Sequence, residues 1–302
     1  MSEITARPFS ALAGKLLLAM AGVALLACNP EAKQLRLSCQ DGSAADCNEL
    51  GYRLLTGDHV LKDFAFAAEV LQQACDGGVA KGCYRLGRMH EDSLGLTGDL
   101  DLMISLYRRA CNGGEAEGCY KLGQAYHDSV GVDKDLGIAF ELFEQACEGG
   151  SMKGCTSLGL MYRGGVSATQ DLTKAAGLFQ RACDGDEMTG CYNLGESYAT
   201  GAGVALDPAR AAELYEQACD SEEMAGCFKL GDVYATGMGV AQDFERAAEL
   251  YGRACHGRYA EGCYSLGVLY QNGSGVTRQP ARAASFFRRA CNLGYEEACE
   301  GE

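Results

Sequence analysis

The chain has 302 residues, 47% of them apolar, with no Trp, 4 Pro, 41 Gly, 17 Cys and a formal charge of −15. So acidic a balance excludes a basic nucleic-acid-binding surface and disfavours adhesion to anionic lipid through side chains, leaving a solvated exterior. Length alone suggests one or two globular domains, but the cysteines are spaced as a repeat array, which stacks into one elongated body instead.

The first element is an apolar run. Arg7 and Lys15 precede Leu16-Leu17-Leu18-Ala19-Met20-Ala21-Gly22-Val23-Ala24-Leu25-Leu26-Ala27. Twelve residues are too few to cross ~30 Å of hydrocarbon as a helix, and they suit the h-region of an export signal. The run ends in Leu25-Leu26-Ala27-Cys28, which resembles the lipobox of bacterial lipoproteins. That resemblance implies cleavage before Cys28 and a diacylglycerol on its thiol. Asn29 in the next position, rather than Asp, implies delivery as an outer-membrane lipoprotein facing the periplasm or the cell surface. The other reading is an apolar first helix with a buried free thiol. Residues 1–27 are thus expected to be a signal peptide and 28–37 a tether reaching at most ~30 Å. Residues 38–302 are expected to be a solenoid of seven 36-residue αα repeats with partial units at each end.

A cysteine recurs every 36 residues at Cys39, Cys75, Cys111, Cys147, Cys183, Cys219, Cys255 and Cys291. A second follows each after eight residues, at Cys47, Cys83, Cys119, Cys155, Cys191, Cys227, Cys263 and Cys299. A fixed period in this range marks stacked repeats. Helix A of each repeat begins a few residues before the second cysteine, as in Cys119-Tyr120-Lys121-Leu122-Gly123-Gln124-Ala125-Tyr126. Offsets 0, +3 and +7 place Cys, Leu and Tyr on one stripe. The Gly after Leu costs ~1 kcal/mol inside a helix, so its recurrence predicts close approach by a neighbouring helix. Turns such as Thr200-Gly201-Ala202-Gly203-Val204 supply positive φ at the helix end. They lack the preceding strand and third Gly of a nucleotide loop. Helix B starts at a capping acid, as at Asp171, Asp207 and Asp243, with Pro208 and Pro280 at tolerated first-turn positions.

Residues eight apart on one helix stand ~12 Å from each other, whereas a disulfide needs Cα atoms ~4.4–6.8 Å apart. The chain must therefore reverse within each cysteine pair, and Asp76-Gly77-Gly78 or Asn112-Gly113-Gly114 provides the reversal. Eight local disulfides would each staple a helix B to the next helix A, at ~2.5 kcal/mol apiece in the chain-entropy model. A zinc site would want C-x2-4-C clusters with histidines, and only four His are present. His59, His90, His127 and His256 are scattered and read as surface or turn residues. No metal and no cofactor is implied.

The pattern Leu-Gly-x-x-Tyr, Gly-x-Gly-Val, Asp, then Ala-Ala-x-Leu-Tyr-x-x-Ala-Cys resembles the Sel-one-like repeat (SLR), a relative of the tetratricopeptide repeat. The paired cysteines are similar to those of the disulfide-rich Hcp group of secreted bacterial SLR proteins. The resemblance runs from Cys39 to Cys299 and implies an all-α fold, a right-handed αα superhelix whose concave face takes protein or peptide partners in the envelope. Three A–B turns depart from the pattern, at Leu55-Thr56-Gly57-Asp58, Asp92-Ser93-Leu94-Gly95 and Arg163-Gly164-Gly165-Val166. The last helix A is expected to be a stub.

Some Hcp-group proteins are classed as β-lactamases or penicillin binders, so the resemblance carries a hydrolase alternative. Ser-x-x-Lys and Lys-Thr-Gly do not occur, and His90-Glu91-Asp92-Ser93-Leu94 lacks the second histidine of HExxH. No catalytic residue is assigned. A purely structural lipoprotein touching peptidoglycan is a third possibility. The binding reading rests on a second helix-A stripe at +2, +5 and +9 from the cysteine. Its candidate groove residues are Arg85, Arg88, Lys121, Gln124, Asn193, Glu196, Lys229 and Asp232, where Lys and Asn would hold a peptide's carboxylate or backbone.

Overall fold

The computed structural model describes residues 30–299. Cys28 and the expected signal segment lie outside the described residues. The chain divides into two compact units, Met1–Gly149 and Gly150–Glu302. In unit 1, α1 (Pro30–Gln40) is followed by three hairpins: α2 (Ala44–Thr56) with α3 (Phe64–Asp76), α4 (Ala80–Glu91) with α5 (Leu100–Asn112), and α6 (Ala116–Asp128) with α7 (Leu136–Glu148). Unit 2 holds four hairpins: α8 (Met152–Gly164) with α9 (Leu172–Asp184), α10 (Met188–Thr200) with α11 (Pro208–Asp220), α12 (Met224–Thr236) with α13 (Phe244–His256), and α14 (Ala260–Asn272) with α15 (Pro280–Asn292). A 3-10 turn, Glu296–Ala298, stands where the last helix A would start. No strand occurs among the described residues.

Within each unit every helix packs on the next, and A helices also touch A helices, α2 with α4, α4 with α6 and α8 with α10. Each unit is therefore an αα solenoid whose core is a succession of buried clusters. Its spine is the expected stripe: the Cys and Leu of each A helix are buried, as at Cys83 and Leu86 or Cys227 and Leu230. His90 takes the +7 place on that stripe and is only 9% exposed, so it is a core residue and not the surface or turn residue its scattered position suggested.

B helices start as their sequence directs. Asp63, Asp99, Asp135, Asp171, Asp207 and Asp243 each accept a backbone N–H three residues on, which satisfies one of the free donors at a helix start. Pro208 and Pro280 sit in the first turn. The Gly of each A helix lies under a side chain of its own B helix. A Cβ on Gly87 would stand 2.7 Å from the Tyr107 ring, and one on Gly231 would stand 2.6 Å from the Tyr251 ring.

Disulfides close the B–A turns. In unit 1 these are Cys39–Cys47, Cys75–Cys83 and Cys111–Cys119, with Cα atoms 4.7, 4.6 and 4.4 Å apart. In unit 2 Cys183–Cys191, Cys219–Cys227, Cys255–Cys263 and Cys291–Cys299 have separations of 4.5, 4.4, 4.5 and 5.0 Å. Of the remaining expected pair, Cys147 belongs to unit 1 and Cys155 to unit 2.

Two features differ from the sequence reading. Residues 30–37, expected as an extended tether, belong to α1. Ala32, Leu35 and Cys39 share one helical stripe, and Ala32 and Cys39 are buried with Leu35 packed against them. Burial of that stripe, with Pro30 in the tolerated first position, turns the segment into a helix. Secondly, the three irregular A–B turns keep the regular geometry. Gly57 with His59, Ser93 with Gly95, and Gly165 with Ser167 are left-handed pairs, as are Gly201 with Gly203 and Gly273 with Gly275. Gly203 shows why the second member is so often Gly, since its Cβ would lie 2.0 Å from the Leu172 carbonyl oxygen.

Candidate functional site

The stripe expected to line a groove runs along consecutive A helices, and most of its polar atoms already have partners within the chain. In unit 1, Arg85 lies over the Tyr52 ring at 4.5 Å and donates to the Asn48 carbonyl and side-chain oxygens at 3.0 and 2.8 Å. Arg88 pairs with Asp92 at 3.0 Å and with Glu91 at 3.2 Å. Lys121 Nζ stands 2.8 Å from Glu91 Oε1. In unit 2, Asn193 is buried, accepts from Arg163 at 2.8 Å and donates to the Thr189 carbonyl at 2.7 Å. Glu196 accepts from the Tyr215 hydroxyl and pairs with Lys229 at 3.4 Å, and Asp232 accepts from the Tyr251 hydroxyl at 2.7 Å. The structure thus brings Glu196, Lys229 and Asp232 into one cluster. Arg85 and Arg88 lie on α4 of unit 1, and Asn193 joins α8 to α10.

Sequence reading missed the tyrosines of this row. Each comes four residues before the first cysteine of a pair and reaches from helix B to an acid on the helix A of its own hairpin. Tyr215 reaches Glu196, Tyr251 reaches Asp232, and Tyr107 reaches Glu91. Where that place holds Phe143, Phe179 or Phe287, the +5 residue opposite is Gln124, Leu160 or Val268; opposite Tyr215 and Tyr251 it is Glu196 and Asp232, and opposite Tyr107 it is Arg88, with the acid three residues later at Glu91. Comparing the repeats column by column would have exposed the pairs of Tyr215 and Tyr251, whose acids share one column. Also missed were arginines two residues before the first cysteine. Arg109, Arg253 and Arg289 donate to the carbonyls of Cys75, Cys219 and Cys255 one repeat earlier, at 2.9, 2.8 and 3.0 Å.

The electrostatics of the two clusters differ. Burial, reinforced by the neighbouring carboxylate, pushes the Tyr107, Tyr215 and Tyr251 phenols up. Burial also pushes the Asp232 carboxyl up against the Tyr251 hydroxyl and Lys229, with Glu196 adding to the rise. At Glu91 burial acts upward too, but the hydrogen bonds from Lys121 and Tyr107 and the charges of Lys121 and Arg88 outweigh it and hold the carboxyl low.

In unit 1 the row borders open space. Glu91, Tyr107, Lys121 and Gln124 flank a cleft of about 310 Å³ whose wall includes Leu100, Met103 and Val130. Met103 is buried, while Leu100 and Val130 are 52% and 42% exposed. A concave site that sets apolar wall beside convergent polar groups is what a ligand needs. Among the described residues no group of three His, Cys, Asp or Glu side chains is placed to hold a metal ion, and no helix is long and apolar enough to cross a membrane. The described disulfides mark an extracytoplasmic chain, since such bonds persist in oxidising compartments.

The chain is similar in structure to a protective antigen of uropathogenic Escherichia coli that displays an SLR fold, with 27% identity, a TM-score of 0.75, and coverage of 89% of this chain and 58% of that one. This chain therefore spans less than two thirds of that relative's length. A Sel1 repeat protein from Oxalobacter formigenes gives a TM-score of 0.74 at 20% identity, covering 81% of this chain and 96% of that one. The Helicobacter pylori cysteine rich protein B is 33% identical over 43% of this chain and 94% of its own, with a TM-score of 0.37. No curated protein matches the chain. The Sel1 repeat model matches residues 44–79, 80–115, 116–151, 153–187, 189–222, 225–258 and 260–295, and the chain belongs to the Sel1 repeat family.

Proposed function

We propose that the protein is an exported, lipid-anchored SLR scaffold that binds protein or peptide partners in the cell envelope through the face built from its A helices. The carrying observation is the unit 1 cleft, where exposed Leu100 and Val130 meet the polar groups of Gln124 and Asp128. Apolar surface left open beside fixed hydrogen-bonding groups suits a partner's side chain and backbone. Anchoring rests on Leu25-Leu26-Ala27-Cys28, and export is supported by the disulfides. The outer membrane is the proposed address, with the array on its periplasmic or outer side. The hydrolase alternative rests on family resemblance alone.

A photocrosslinking residue at Gln124 should capture a discrete envelope protein in living cells, and the same residue at Glu69, exposed on α3, should not. If neither position yields an adduct, the binding reading fails. Mass spectrometry of the mature N-terminus tests the anchor separately. A diacylated Cys28 is expected, and an unprocessed Met1 would refute it.

A further inference from the structure

The polarity of the unit 1 cleft is not the one its lysine suggests. Lys121 is held by Glu91 at 2.8 Å, and Glu91 also takes the Tyr107 hydroxyl and pairs with Arg88 at 3.2 Å. That cation is engaged within the chain and offers little to an incoming carboxylate. Asp128, on the other flank, has a side chain 57% exposed. Its partner at 2.6 Å is the His127 ring nitrogen. The lining carries two carboxylates, Glu91 and Asp128, against Lys121, and the flanking segments 91–101 and 124–135 add five more carboxylates against Lys134. With Lys121 matched by Glu91, the excess at the mouth is negative, and such an excess beside apolar walls favours ligands of the other sign.

The walls supply the second half of the argument. Leu100, Met103 and Val130 form an apolar surface inside that acidic rim. A long side chain with a methylene stem and a cationic head satisfies both parts, stem on the wall and head at the rim. A volume of about 310 Å³ is at the small end for a ligand pocket and has room for one such side chain.

We propose that this cleft binds a lysine or arginine side chain of an extended partner peptide, its stem against Leu100, Met103 and Val130 and its head at Asp128. Gln124 is placed to hydrogen-bond the peptide backbone. The proposal rests on the protein-binding reading and narrows it to a cationic class of ligand.

The test uses the oxidised full chain and two acetylated, amidated peptides, Gly-Gly-Lys-Leu-Gly-Gly and Gly-Gly-Glu-Leu-Gly-Gly, titrated by NMR. The lysine peptide should shift the amides of Leu100, Met103, Gln124 and Val130 and bind about 10-fold more tightly than the glutamate peptide. Asp128→Asn, at an exposed site, should cut that preference to roughly 2-fold and leave the spectrum otherwise folded. Equal binding of both peptides would overturn the cationic class while leaving the scaffold reading standing. Absence of shifts at the cleft with either peptide would overturn the cleft as the site. The crosslink at Gln124 then decides independently whether the binding reading survives.

Discussion

Both units join a helix-B tyrosine to a helix-A carboxylate and a lysine from the next A helix, but they place the acid differently. In unit 2 Glu196 stands at +5, directly opposite Tyr215, and Lys229 closes on it from α12. In unit 1 the +5 place holds Arg88, and the acid is Glu91 one turn later, reached by Tyr107 and by Lys121 from α6. The later acid lines a cleft, and the earlier one is held by Tyr215 and Lys229. One packing solution therefore occurs in two registers, and only the later acid, in unit 1, borders a cleft. The difference lies in a single turn of helix.

The largest effect is expected beneath the rings themselves. Valine at Gly195 or Gly87 would press on the Tyr215 or Tyr107 ring, where even a Cβ would stand 2.7 Å away. Each substitution should cost about 3 kcal/mol in urea unfolding. Equal losses would show that packing alone fixes both rings. A clearly smaller loss at Gly87 would show that the more distant acid lets the Tyr107 ring move.

Next come the clasps. Glu196→Leu should cost about 2 kcal/mol, because the hydroxyl of the buried Tyr215 loses its acceptor. Adding Tyr215→Phe should recover most of the loss, since it recreates the Phe179 and Leu160 pairing already present in this chain. A double-mutant cycle should give a coupling of about 1 kcal/mol or more. Simple additivity would mean that acid and tyrosine do not act together. Tyr107→Phe should cost less, about 1 kcal/mol, because Glu91 keeps Lys121 and Arg88.

These contacts mark where the sequence stops being legible. The cysteine register, the B-helix caps at residues such as Asp171 and Asp207, and the close-packed A-helix glycines depend on short spacings. They could be read before any coordinates. The helix at Pro30–Gln40 could not, because its polar composition resembles a linker and only packing of Ala32 and Leu35 declares it. The turn at Ser93 keeps its left-handed backbone without the expected glycine, because the surrounding hairpin imposes it. The acid-to-tyrosine pairs span 16 or 19 residues across a hairpin, and no local rule links such positions. The stripe of candidate residues could be placed by offset, but that Lys121 and Lys229 are already engaged depends on acids one repeat earlier.

Acid should separate the two clasps by sign, with the smallest of these effects. Glu91 faces Lys121, Tyr107 and Arg88 and is held below its ordinary value of 4.5. Its contribution is present above 4.5 and is lost as the pH falls through the lower folded-state value. Asp232 faces Tyr251, Lys229 and Glu196 and is raised above its ordinary 3.8, so its contribution is present below 3.8 and is lost as the pH rises through the raised value. Between pH ~6 and ~3, hydrogen-exchange protection corrected for intrinsic rate should therefore fall in α4 to α6 and hold or rise in α12 and α13. Glu91→Gln should flatten the first trend, and Asp232→Asn the second. Parallel loss in both units, unchanged by either substitution, would mean that the position of the acid sets no local pH response. The enclosure of Asp232 beside a second carboxylate, set against the cationic neighbours of Glu91, is what makes opposite signs the expected result.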